Sequence, residues 1–170
     1  ICLIRPPAVE SFRFATGNIS PPLGLAYVAA ALERAEYRIE VVDAIAEGPK
    51  TTIKYIKGFL VGHTVNQIVE KIPPDSLLIG ISCIFTHEWP VVVSLITAIK
   101  NKFPYKIIVL GGEHVTALAE FSLATSKADI IVMGEGGETI VELVTCIQNG
   151  DDFQDLTGIA FRAKSGDIVA

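Results

Sequence analysis

The sequence has no C-x-x-C pair. Its three cysteines, Cys2, Cys83 and Cys146, are scattered along 170 residues. That spacing encodes no zinc ribbon and no local iron–sulfur motif. An odd, widely spaced set gives no disulfide scaffold and points to a reducing compartment, the cytoplasm. No apolar run reaches about 18 residues, so no transmembrane helix is expected, and no signal peptide is visible. Charge is scarce and mildly acidic: 14 Lys and Arg stand against 19 Asp and Glu, a net charge of −5. A nucleic-acid footprint needs a basic patch, so that class of partner is disfavoured. The three histidines, His63, His87 and His114, sit on separate segments without metal-ligand spacing. G-x-G-x-x-G does not follow the first apolar run, and there is no Walker A pattern and no nucleophile elbow. Catalysis by these residues alone is therefore poorly supported. An initial Met is also missing. The chain starts at Ile1 inside a strand-like run, and we expect it to be part of a longer protein.

Half of the residues are apolar, enough for one domain with a sizeable core. Short apolar runs alternate with helix-like segments. Strands are expected at Ile1–Arg5, Arg38–Asp43, Leu77–Cys83, Lys106–Leu110 and Asp129–Met133. Pro6 to Pro22 reads as a long loop, and Ala44 to His63 as a loop of uncertain local structure. Helices are expected over Leu23–Glu36, Thr64–Ile72, Glu88–Lys102, Val115–Thr125 and Glu138–Gln148. The second of these has the capping-box spacing Thr64-Val65-Asn66-Gln67, and the third has Thr86 as a candidate cap. Gly158 to Ala170 reads as a hairpin. The alternation predicts an α/β fold: a doubly wound, five-stranded parallel sheet of order 2-1-3-4-5 with a short C-terminal β-hairpin.

In such sheets a ligand lies beyond the carboxyl ends of the strands. The loops there are Arg5–Ser20, Asp43–Gly48, Ser82–Thr86, Gly111–His114 and Gly134–Gly137. Glycine pairs in two of these loops either make tight turns or let backbone approach a ligand. His114 is either a ligand contact or a partly exposed capping residue. His87, beside Trp89, reads as a surface residue, and His63 as solvated. Asp43 bonds either a loop backbone or a ligand amide. Glu135 and Glu138 are explained by a solvated helix N-terminus.

Several of these segments resemble motifs of one family. Pro21 to Ala30 reads PPLGLAYVAA. Gly111-Gly112-Glu113-His114 reads GGEH, and Gly134 to Thr139 reads GEGGET. Gly158-Ile159-Ala160-Phe161-Arg162 is followed by Gly166-Asp167-Ile168. In this order they resemble the PPLGLAYLAA, GGPH, GEGE-x-T and GI-x-YR…DG-x-I motifs of the cobalamin-binding domains of class B radical SAM enzymes. Glu113 replaces the usual Pro, and Gly137 stands where a second Glu is common. The resemblance covers nearly the whole chain. It implies a flavodoxin-like, Rossmann-like domain over residues 1–150, with 151–170 as a hairpin or linker toward a radical SAM barrel.

The same resemblance implies that cobalamin is the cofactor. Ser82, Ile84, Gly111, Gly112, His114, Gly134, Glu135 and Gly136 would line the corrinoid cleft, and the loop starting at Arg5, Pro6 and Pro7 would face the ring. It also implies a [4Fe–4S] cluster and S-adenosylmethionine in the parent enzyme, although the C-x-x-x-C-x-x-C motif that holds them is absent from this chain. Better-known cobalamin domains place D-x-H-x-x-G after the first strand. No His precedes His63 here, so base-off binding without a His ligand is expected. The parent would perform radical methylation, or a cyclisation or oxidation such as that of the anaerobic Mg-protoporphyrin monomethyl ester cyclases. Two rival classes stay open: a flavodoxin-like module for a flavin or nucleotide, and a regulatory domain that binds no cofactor. The latter lacks the clustered acidic residues of a phospho-receiver.

Overall fold

The computed structural model describes residues 1–11, 20–56, 58–163 and 165–170. The loop expected between Arg5 and Ser20 therefore lies partly outside the described residues.

Five strands run parallel. They are β1 (Cys2–Arg5), β3 (Glu40–Asp43), β6 (Leu78–Ser82), β7 (Ile107–Gly111) and β8 (Ile130–Val132), and they lie side by side as β3-β1-β6-β7-β8. Two more strands, β9 (Ile159–Arg162) and β10 (Ile168–Val169), extend the sheet antiparallel from β8. The sheet is thus seven-stranded and mixed, where sequence reasoning expected five parallel strands and a separate hairpin. The physical reason is the edge. Without β9 the apolar strand β8 would present unpaired N–H and C=O groups. β9 closes that edge with Ile159 and Phe161 directed to one face of the sheet and Ala160 to the other.

Helices cover both faces. α1 (Leu23–Arg34) and α7 (Gly136–Asn149) pack on one face over Leu3, Leu78, Val109 and Val132. α3 (Val65–Lys71), α4 (Trp89–Lys102), α5 (Glu113–Ala117) and α6 (Ala119–Thr125) pack on the other over Cys2, Ile4, Ile79, Ile81 and Leu110. β6 buries apolar side chains on both faces, as a central parallel strand must. Gly80 is part of this packing, because a Cβ there would come within 2.8 Å of the Leu3 side chain. α3 carries the expected capping box between Thr64 and Gln67, and α7 ends on the left-handed Gly150.

Three local expectations are corrected. The segment from Ala44 to His63 is not a loop. It holds the short helix α2 (Ala44–Glu47) and a hairpin of β4 (Thr52–Tyr55) and β5 (Gly58–Val61). β5 also pairs with β2 (Ala8–Ser11), which interrupts the long loop expected after β1, and the three strands form a second sheet, β2-β5-β4. Asp43 caps α2, accepting from the backbone N–H groups of Ile45 and Ala46 at 3.1 and 3.0 Å. The third correction is the single helix expected over Val115–Thr125. It is two helices, broken at Leu118, whose non-helical backbone (φ −131°, ψ 46°) belongs to neither. Among the described residues, no helix is long and apolar enough to cross a membrane.

Candidate functional site

The carboxyl ends of the parallel strands form one level row. Arg5 pairs with Asp43, Ser82 with Gly111 and Gly111 with Val132, while Arg5 and Ser82 lie one residue beyond the Ile4–Ile81 pair. Side chains alternate along a strand. Leu3, Val109 and Val132 face α1 and α7, so Arg5, Ser82 and Gly111 project to that same face. The chain goes from β1 to β3 on one side and then crosses back to β6 on the other side of β1. The topological switch point therefore lies between Arg5 and Ser82.

α1 forms a wall over this row. It descends from the carboxyl edge toward the start of β3. At Ala31 it is level with the first turn of α7, where a Cβ on Gly137 would lie 3.8 Å from the Ala31 Cβ. At 1.5 Å per residue, the part of α1 before Ala31 rises about 12 Å above the start of α7. Leu25 anchors this overhang in the core, while Leu23 and Tyr27 stay exposed, Tyr27 by 74%. Among the described residues, nothing lies within 4 Å of a Cβ built on Gly24 or on Gly134, and the nearest atom to one on Gly111 is 3.9 Å away. Row, overhang and the turn at Gly134, Glu135 and Gly136 thus bound an open, glycine-lined cleft. The residues present fit a bulky, amide-bearing ring system that needs close backbone approach.

The row is held electrostatically. Arg5 donates to Asp43 at 3.2 Å in a largely buried pair. Glu47 accepts from the Asp43 backbone N–H at 3.0 Å and pairs with Lys71 at 2.8 Å. His63, expected to be solvated, has only 14% of its side chain exposed and lies 3.6 Å from Glu47. Glu88, just before α4, has its carboxyl pushed up by burial, against the opposing pull of the Phe85 backbone N–H, His87 and Arg5. Burial pushes the Cys83 thiol up to about 12, with a further push from Glu88.

The sequence-selected residues separate into groups. Arg5, Ser82 and Gly111 share the row, and Gly134, Glu135 and Gly136 form the turn beside it. Ile84 is exposed beyond the row, next to Phe85, which is 55% exposed and stacks on His87. Pro6 and Pro7 are buried between β1 and β2. Gly112 is wedged beneath Cys83: at φ +113° a Cβ there would stand 2.5 Å from the Cys83 carbonyl oxygen. His114 is neither exposed nor a cap. It is 3% exposed, packs its ring 5.0 Å from Trp89 and bonds Thr86 through Nδ1 at 3.2 Å. That bond occupies the Thr86 hydroxyl, and a 3-10 turn over Thr86–Glu88 enters α4, which has no side-chain cap. Burial lowers the His114 pKa, so its neutral form is favoured.

Sequence reasoning missed Thr116, whose Oγ1 accepts from the Gly134 N–H at 3.1 Å, and the α1 overhang. The PPLGLAYVAA run marked the overhang. Nothing in a lone Thr marked the bond. A cleft of about 270 Å³ lies at the other end of the sheet, lined by Ile1, Tyr37, Arg38, Glu40, Asp75 and Leu77. It touches no strand carboxyl end, and its Arg38 and Glu40 pair with each other at 3.1 Å.

Known proteins place this geometry. The chain is 28% identical to an uncharacterized methyltransferase of Pyrococcus horikoshii, over 95% of the chain and 32% of the relative. It is 32% identical to the anaerobic magnesium-protoporphyrin IX monomethyl ester cyclase of Synechocystis, over 84% of the chain and 26% of the relative. The chain thus spans about a third or less of these relatives. Its fold superposes on 21% of the cobalamin-dependent S-adenosylmethionine radical enzyme OxsB, solved with aqua-cobalamin and S-adenosylmethionine bound. The superposition covers 99% of the chain with a TM-score of 0.74 at 16% identity. The B12 binding domain model matches residues 13–144, and the chain belongs to that family.

Proposed function

We propose that this chain holds cobalamin for a radical SAM enzyme, base-off and without a histidine on cobalt. The observation that carries the reading is the cleft on the α1/α7 face, where the row Arg5–Ser82–Gly111 meets the Gly134 turn beneath the α1 overhang. The open space beside Gly111 and Gly134 lets a ring with peripheral amides approach the backbone closely, and the Arg5 guanidinium suits a carbonyl or phosphate oxygen. Ile84, Gly112, Glu135 and Gly136 complete the lining. Pro6 and Pro7 fix the chain where it leaves β1, and His114 acts from behind the cleft. Absence of a histidine ligand is supported by where the three histidines lie. His114 is covered by Trp89, His63 sits beside Glu47, and His87 stacks on Phe85.

When bound, cobalamin supplies methyl carriage or assistance to radical chemistry. This chain's residues bind and orient it and exclude water from one face. A methyltransferase and a cyclase among the relatives support radical methylation or oxidative cyclisation as the parent's reaction. The [4Fe–4S] cluster and S-adenosylmethionine would belong to a barrel elsewhere in the parent, and this piece by itself would not be catalytic. Residues 1–150 carry the cobalamin-holding cleft, and 151–170 complete the same sheet and lead on toward that barrel, in the cytoplasm.

Titration of the purified chain with hydroxocobalamin and, separately, with FMN tests the reading. Saturable binding of hydroxocobalamin alone is expected, and after reduction a Co(II) EPR spectrum without nitrogen hyperfine structure. Binding of FMN instead would overturn the cobalamin assignment. A nitrogen-coupled spectrum would overturn the base-off, histidine-free state.

A further inference from the structure

Three loops of the cleft converge on one helix that is only five residues long. α5 follows directly on Gly112, which sits against the Cys83 carbonyl, and the Cys83 N–H donates to the Gly111 carbonyl at 2.8 Å. From its second residue, His114, it reaches the loop after β6 through Thr86. From its fourth, Thr116, it reaches the turn after β8 by accepting the Gly134 N–H at 3.1 Å. His114 and Thr116 are two residues apart, so on a helix they point to nearly opposite sides. α5 follows β7, and β7 lies between β6 and β8. The helix therefore bridges the two loops on either side of its own strand.

We infer that Thr116 is a positioning residue for the cofactor cleft. It fixes the Gly134 turn in its ligand-accepting conformation, while His114 fixes the Thr86 loop from the same helix. The inference rests on the cobalamin reading for the ligand, but the tether itself exists without ligand. Gly134 is exposed and at φ +67°, a conformation with many alternatives in a free glycine-rich turn. The Thr116 bond removes those alternatives before binding, so less ordering remains to be done when the ligand arrives. Thr116 lies on α5 and not on the row, so its effect on the ligand passes through Gly134.

The test compares Thr116→Val, which keeps the branched shape and loses the acceptor, with Thr116→Ser, which keeps the acceptor. In the unliganded chain, T116V should speed amide hydrogen exchange at Gly134, and T116S should not. With hydroxocobalamin as probe, T116V should bind about five- to tenfold more weakly, as expected for one lost hydrogen bond, and T116S within about twofold of the parent chain. Melting temperatures of both should stay within about 3 °C of the parent. Thr86→Val should speed exchange in the loop after β6 and leave Gly134 unchanged. Unchanged Gly134 exchange in T116V, or unchanged hydroxocobalamin affinity beside a binding parent chain, overturns the positioning role. Failure of the parent chain to bind hydroxocobalamin, with faster Gly134 exchange in T116V, overturns the cobalamin reading and the ligand half of the inference, and leaves the tether standing.

Discussion

Glu88 is a half-buried carboxyl between the opposing fields of Arg5 and Glu10. Burial outweighs the bond from the Phe85 N–H and raises its pKa, so the folded chain holds this proton to higher pH than the unfolded chain does. Its favourable contribution is complete below the ordinary carboxylate range and is lost as pH rises through the folded value. Glu88→Gln keeps an acceptor for the Phe85 N–H and removes the charge. The variant should melt a few degrees above the parent at about pH 8, with the gap closing toward about pH 4. A pH series of thermal melts checks this, and an equal gap at both ends would contradict it. Spacing did not reveal this group, because Glu88 looks like an ordinary first-turn acid. The same holds for His114. Gly111-Gly112-Glu113-His114 placed it at the cleft edge, but which way its ring turns is decided by Trp89, on another helix.

At the scale of elements, the turn from β7 into α5 has no slack. Gly112 needs a positive φ and has the Cys83 carbonyl where a Cβ would stand. Gly112→Ala should cost about 2–4 kcal/mol of unfolding free energy by urea denaturation, from backbone strain plus a backbone clash. The five parallel strands and most helices were legible because each strand is a short, largely apolar run, and the longer helices have a repeating apolar stripe. The second sheet was not legible. Its strands are four residues each and mostly exposed or half-buried, too short to give a readable apolar period. Its pairing of β2 with β5 joins segments separated by two helices and two strands. The break at Leu118 was hidden for a related reason: the apolar period runs through it, and only the turn in the backbone separates α5 from α6.

For the whole molecule, the C-terminal hairpin is part of the main sheet. β9 buries Ile159, Ala160 and Phe161, and Phe161 meets Phe153 edge-on at 5.5 Å. A chain ending at residue 157 would lose the burial of two large apolar side chains, about 3–6 kcal/mol, and would bare the β8 edge. It should unfold at lower urea than the full chain and self-associate in size-exclusion chromatography. A monomeric truncation of unchanged stability would show that β9 is dispensable.

The level row at the strand ends has one more consequence. Five neighbouring strands at about 4.8 Å spacing set out a shelf roughly 19 Å long, with Asp43, Arg5, Ser82, Gly111 and Val132 as successive places on it. Each place is defined by counting from the strand's own start, and counting by twos. The shelf therefore has a reading frame. Losing one residue inside β1 would turn Arg5 to the α4 side and bring Pro6 to the shelf, whereas a residue lost or gained beyond the row changes only loop length. Variation in this chain should accordingly be tolerated above the shelf and forbidden, in odd steps, below it.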